Sequence, residues 1–229
     1  MKNRKLLVAI ILNILMCLFV LIFTIFSIIG FHFMGDINGS LTPDSTNLFN
    51  LFTVDSNVLL GVACVPIIVY EILHYIGKIE KIPLFLYVLK LIATSATTLT
   101  FLTVTLFFCP LMGANFWMLY TNNNLFFHLI IPVMAIICFI FFEYEKEIKF
   151  IHTLYGLIPA GIYSIYYTVN LLVHLNPDGT INEAYDFYYF ARNGLIGSVF
   201  TFIGMLLLAY GISCLLYFFN HLMVKKCNQ

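Results

Sequence analysis

Two short segments carry residues whose types and spacing could do chemistry. The first is Phe52-Thr53-Val54-Asp55-Ser56-Asn57. In a helix Thr53, Ser56 and Asn57 share one face with Leu60, because residues three and four apart are neighbours, while Asp55 points elsewhere. The second is Asn124-Leu125-Phe126-Phe127-His128-Leu129-Ile130-Ile131-Pro132, in which Asn124, His128 and Pro132 recur at four-residue intervals. A threonine hydroxyl is a poor nucleophile at neutral pH. An adjacent imidazole activates it by taking its proton during attack and returning it to the leaving group. A third group must hold the imidazole in one tautomer, and Asp55, Asn57, Asn124 and Tyr167 are all candidates. An acyl-enzyme route also needs donors for the oxyanion, which Ser56, Asn57 or a tyrosine could supply. The competing reading is structural. Threonine in a membrane helix commonly bonds back to its own backbone, and histidine near a helix end commonly sits among lipid headgroups.

Other polar residues belong to the same inquiry. Tyr163, Tyr167, Asn170 and His174 share a helical face and could line a cavity, whereas Tyr185, Tyr188 and Tyr189 fit an interfacial aromatic belt. Arg192 could hold a lipid headgroup or a substrate carboxylate, or snorkel to water. Seven Ser and Thr residues between Thr94 and Thr105 read as close-packing positions. Lys90, in the same apolar run, either snorkels or pairs with Glu71.

The elements that must position these side chains follow from composition. The chain has 229 residues, 62% hydrophobic and 10% charged, where a soluble domain carries about 25% charged residues. Its mean hydropathy of +0.98 excludes an ordinary water-soluble core. Net charge is zero and no basic stripe exists, which argues against nucleic acid as a partner. The six cysteines form no CxxC pair and read as small packing residues. No HExxH motif or acidic–histidine cluster calls for a metal, and the proposed chemistry needs no cofactor.

Apolar runs over about 6–29, 51–73, 84–109, 125–142, 151–173 and 194–219 are each long enough to cross the hydrocarbon as a helix. Helix is the form expected, because lipid offers no partner for stray backbone groups. The fold class is therefore an all-α integral membrane protein, one six-helix transmembrane domain over 1–229. The first run is too long for a signal-peptide core and reads as an uncleaved span. The amino-terminal tail, the second and fourth loops and the carboxyl-terminal tail hold Lys2, Arg4, Lys5, Lys78, Lys81, Lys146, Lys149, Lys225 and Lys226. The first, third and fifth loops hold acidic and amide residues, among them Asp36, Asp44, Asp178, Glu183 and Asp186, with Arg192 at the threshold of the last run. This bias predicts cytoplasmic termini in a multi-pass plasma membrane protein, and the basic inner loops suit a bacterial cell membrane. Spans two and four then both start at the outer boundary, placing Thr53 and His128 at one depth.

Leu51-Phe52-Thr53 at the start of span two and Asn124 through Pro132 at the start of span four resemble the androgen-induced family of multi-pass membrane threonine hydrolases. The chain is most similar to that family's uncharacterised bacterial six-span members, with their Phe-Thr-x-x-Ser-Asn signature. The likeness covers six spans with both termini inside. It implies Thr53 as nucleophile, His128 as its base, and fatty acid esters of hydroxy fatty acids as a substrate class. In the animal members the histidine follows Asn-His-Gly and precedes Thr-Thr; here Phe126 and Phe127 precede it and Leu129 follows.

The sequence therefore points first to an intramembrane hydrolase of lipid-like acyl esters, with membrane lipids as surroundings. A transporter using the Thr-rich face of span three with Lys90 and Glu71 is the principal rival, and a non-catalytic interaction protein is the third reading.

Overall fold

The computed structural model describes residues 2–35, 46–145, 147–192 and 194–227. Asp36, Asp44 and Lys146 lie outside these. Six helices are long and apolar enough to cross a membrane: Arg4–Ile28, Phe52–Tyr75, Leu84–Tyr120, Asn123–Phe141, Phe150–Val173 and Ile196–Lys226. They are spans one to six, and no strand occurs among the described residues. Their outer surface is apolar: Leu111, Ile196 and Phe200 are 80%, 75% and 70% exposed. Water would not tolerate so continuous an apolar surface, and hydrocarbon does. The chain is a multi-pass membrane protein by this surface as well as by helix length.

Span one packs on span two, span two on span three, and span three on spans four, five and six. Span three is the axis of the bundle. Its small and hydroxyl residues from Ala93 to Thr100 are all buried, which lets neighbouring backbones approach closely. Two of its hydroxyls are satisfied within the helix: Thr97 donates to the Ala93 and Thr94 carbonyls and Thr98 to that of Thr94. The packing role read from the sequence fits these threonines.

Two spans depart from straight rods. Span three is α-helical over Leu84–Thr103, widens into a π-turn at Val104–Phe108 and resumes at Cys109–Met112. Gly113 then takes φ +53°, a left-handed conformation that glycine adopts without strain. It turns the chain back as a 3-10 segment, Gly113–Tyr120, until the Tyr120 hydroxyl meets Thr105 Oγ1 at 2.8 Å. Span four opens with one short turn, Asn123–Leu125, and a π-turn over Phe126–Ile130 before Ile131–Phe141. The cause is Pro132. It has no N–H to return to the His128 carbonyl, and the Ile131 N–H instead reaches five residues back, to Phe126.

The two ends of the bundle differ chemically. Lys5 bonds to the Tyr144 hydroxyl, Lys81 pairs with Glu147, and the Glu145 N–H donates to Asn220. Both terminal spans and the second and fourth loops thus meet at one end, called the terminal end below. The far end holds the other loops, tied by Met34 to Asn122 and by Tyr163 and Tyr166 to Asn50.

Spans three, five and six cross most tightly at Gly156. A Cβ there would lie 2.5 Å from Ser213 Oγ, 2.7 Å from Ser213 Cβ and 3.2 Å from Ser95 Oγ. Gly156→Ala should therefore destabilise the protein by about 1–3 kcal/mol through overpacking. The second substitution Ser213→Gly should recover most of that loss in thermal unfolding of the purified protein, because it removes the clashing atoms.

Candidate functional site

The far-end polar layer is built from the first turns of spans two and four. Asn57, fully buried, donates through Nδ2 to the Thr53 carbonyl at 2.7 Å and to the Phe127 carbonyl at 3.0 Å. One amide therefore joins the turn that carries Thr53 to the residue preceding His128. The π-turn makes this possible, since it frees carbonyls that a regular helix would keep for itself. Ser56 donates to the Thr53 carbonyl at 3.1 Å and shares a 2.9 Å hydrogen bond with Thr100 on span three. Thr53, Ser56, Asn57 and Leu60 are all buried on one face, and half-exposed Asp55 points away from them, as the helical spacing requires.

His128 is held by a main-chain group. Its Nδ1 lies 2.6 Å from the Leu119 carbonyl, in the segment that Gly113 turns back, and its ring meets Tyr120 edge-on. A carbonyl only accepts, so Nδ1 carries the proton and Nε2 presents a free lone pair, the arrangement a general base needs. None of Asp55, Asn57, Asn124 or Tyr167 is the orienting partner. No hydrogen bond joins Thr53 to His128 among the described residues. They lie on touching helices, with Asn57 spanning the gap.

Tyr188 completes the layer, and it is not the belt residue its loop position suggests. Its hydroxyl accepts from the Thr53 N–H at 3.5 Å and also meets the Thr53 hydroxyl. Burial pushes its phenol above the usual range, so it stays a neutral donor at physiological pH. Tyr167 and Asn170 serve the fifth loop. Tyr167 donates to Asp186 and accepts from the Tyr188 N–H at 3.0 Å, and Asn170 donates to the Tyr185 carbonyl at 3.4 Å. These bonds hold Tyr188 over Thr53. Asn124 is buried at the mouth of span four with its Nδ2 unpartnered, and Arg192 is exposed.

A cleft of about 600 Å³ runs beside this layer between spans two, three and five. Asp55, Ser56, Tyr163 and Tyr166 line its polar end, and Leu59, Leu89, Ile92 and Ile162 its length. Thr53 and His128 are not among the lining residues. Leu89 and Ile92 also border a second hollow of about 460 Å³ that continues toward His152. Through these shared residues the two make one apolar channel along span three.

A second polar cluster lies near the terminal end, and sequence reading saw only part of it. Lys90 is 0% exposed, as is Asn13 on span one; Glu71 and Glu143 are 2% and 3% exposed. Lys90 does not snorkel. Its Nζ donates to Asn13 Oδ1, contacts Cys64 Sγ at 3.5 Å and lies 3.5 Å from Glu143 Oε1. Asn13 Nδ2 donates to Glu71 at 3.0 Å and to Glu143 at 2.7 Å. Glu71 and Lys90 are thus linked through Asn13, and Cys64 is a member of the network as well as a packing residue. The available signal was a lone amide inside the Leu/Ile run of span one, since a polar group in a membrane helix needs a partner.

Comparison of the chain with protein-family models, curated proteins and solved structures finds no match. The geometry stands alone as evidence.

Replacing Asn57 with Leu removes its one bond between spans two and four, to the Phe127 carbonyl, together with its bond within span two to the Thr53 carbonyl. Interhelical hydrogen bonds in membranes average about 0.6 kcal/mol and reach about 1.7 kcal/mol, so a loss of about 1 kcal/mol in unfolding free energy is expected, measurable in a detergent–denaturant titration.

Proposed function

We propose that the protein is an intramembrane hydrolase of lipid-like acyl esters, with Thr53 as nucleophile and His128 as general base. The observation that carries this reading is the His128 Nδ1 bond to the Leu119 carbonyl, which leaves Nε2 without a proton on the helix that touches the Thr53 turn. The acyl chain lies in the channel along span three, and the ester stops at Ser56, where the channel meets the polar layer.

His128 Nε2 takes the hydroxyl proton as Thr53 Oγ1 attacks the ester carbonyl carbon. Tyr188 donates to the oxyanion, joined by Ser56 when its hydroxyl turns away from the Thr53 carbonyl. The imidazolium returns its proton to the leaving alcohol, and water, deprotonated by the same nitrogen, releases the acid. Nucleophile and base share no direct hydrogen bond in this structure, and such contacts commonly tighten only when substrate binds. The same reading makes the chain a distant relative of the androgen-induced membrane hydrolases, with cytoplasmic termini in a bacterial plasma membrane and fatty acid esters of hydroxy fatty acids as candidate substrates.

Transport is the second reading, favoured by the buried Lys90–Glu143 pair, since intramembrane charges commonly mark ion or substrate pathways.

Fluorophosphonate labelling separates them. The wild type should label, and both Thr53→Ala and His128→Ala should lose about 100-fold or more of labelling and ester hydrolysis, with their elution on size exclusion unchanged. Ser56→Ala should label more slowly. Labelling that survives in Thr53→Ala, or substrate flux into proteoliposomes with no labelling, contradicts the hydrolase.

A further inference from the structure

The cluster near the terminal end contains more acid than base. Glu71 and Glu143 face one another across Asn13, and Lys90 is the only cation among them. The other titratable groups around it carry no compensating positive charge. Span one adds Cys17, span two Cys64, span three Tyr87 and span four Cys138, with Glu145 just beyond. From span six, Asn220 donates only to the Phe139 and Glu143 carbonyls. Lys5, at the start of span one, is engaged with Tyr144. If both carboxylates were ionised, a net negative charge would sit where Asn13, Glu71, Lys90 and Glu143 are each 3% exposed or less. An uncompensated buried charge is costly enough that the group neutralises instead.

Hydrogen bonding gives a second, independent sign. The Asn13 amide is saturated: two donors to the carboxylates, two acceptor positions taken by Lys90 and Cys64. Glu143 Oε2 is buried and has no partner at all. An oxygen in that state wants a hydrogen. A proton carried on one of the two carboxyls cancels the surplus charge, and on Glu143 Oε2 it removes a buried anionic oxygen that no donor stabilises.

We propose that Asn13, Glu71, Lys90 and Glu143 form an intramembrane proton-binding site, in which two carboxylates hold one exchangeable proton while Lys90 stays charged. Release is a simple transfer: the carboxylic O–H breaks, its electron pair stays on the carboxylate, and the proton passes to water. The exit is short. Glu143 lies just past the end of the helical segment Ile131–Phe141, and its neighbours Tyr144 and Glu145 are half-exposed. The site is separate from the Thr53–His128 layer and stands whichever activity that layer has.

Infrared spectroscopy of the full chain in lipid nanodiscs tests it. The wild type, labelled with carbon-13 glutamate, should show the carbonyl band of a protonated glutamic acid at neutral pH, shifted by the label and titrating away at alkaline pH. Glu71→Gln and Glu143→Gln should each abolish that band, since one remaining carboxylate pairs with Lys90 and has no reason to protonate. Absence of a label-sensitive acid band in the wild type overturns the proposal without recourse to any variant. Retention of the band in both variants overturns it too. A midpoint that moves with sodium concentration at fixed ionic strength would show a metal cation in the site and overturn it as well.

Discussion

Hydrocarbon offers no hydrogen-bond partner, and a polar group sunk in this bundle must find one on its own helix or on another. Asn13 is where that constraint is met most fully. All four hydrogen-bonding positions of its amide are used, and they reach Glu71 and Cys64 on span two, Lys90 on span three and Glu143 at the end of span four. Four of the six helices are therefore registered against one side chain. Apolar packing alone does not set such a register, because lipid tails are as apolar as the leucines they replace.

With the terminal end pinned, the far end can carry strained and open backbone. The π-turn at Phe126–Ile130 exposes the Phe127 carbonyl to Asn57, and the reversal at Gly113 delivers the Leu119 carbonyl to His128. Both irregularities sit where side chains of spans two, three and four converge on Thr53. Such π-turns are frequent at functional sites, since they aim groups that a regular helix cannot. The fifth loop closes the layer from above through Tyr188, held by Tyr167 and Asp186. The channel along span three meets this layer at Ser56.

The span pattern was legible because length, hydropathy and polar loops coincide, and each run lies within a few residues of its helix at most ends. The exceptions are span three, which runs past 109 because Gly113 turns the chain rather than ending it, and span six, which continues past 219 to Lys226. The Thr53–Ser56–Asn57 face and the divergence of Asp55 were legible because helical spacing alone decides them. The orienting partner of His128 was not, since a main-chain carbonyl carries no residue signal. Tyr188 was read as an interfacial residue because its loop is polar and aromatic; only the fold brings it over Thr53. Glu143 looked like the first residue of a charged loop, and its burial depends on span one supplying Asn13 beside it.

The central claim is that His128 is preset as a base by the Leu119 carbonyl. Nitrogen-15 magic-angle-spinning NMR of histidine-labelled protein in lipid, assigned with His128→Gln, measures this directly. The account predicts a neutral ring protonated at Nδ1 and bare at Nε2 at neutral pH. A ring protonated at Nε2, or at both nitrogens, would contradict it.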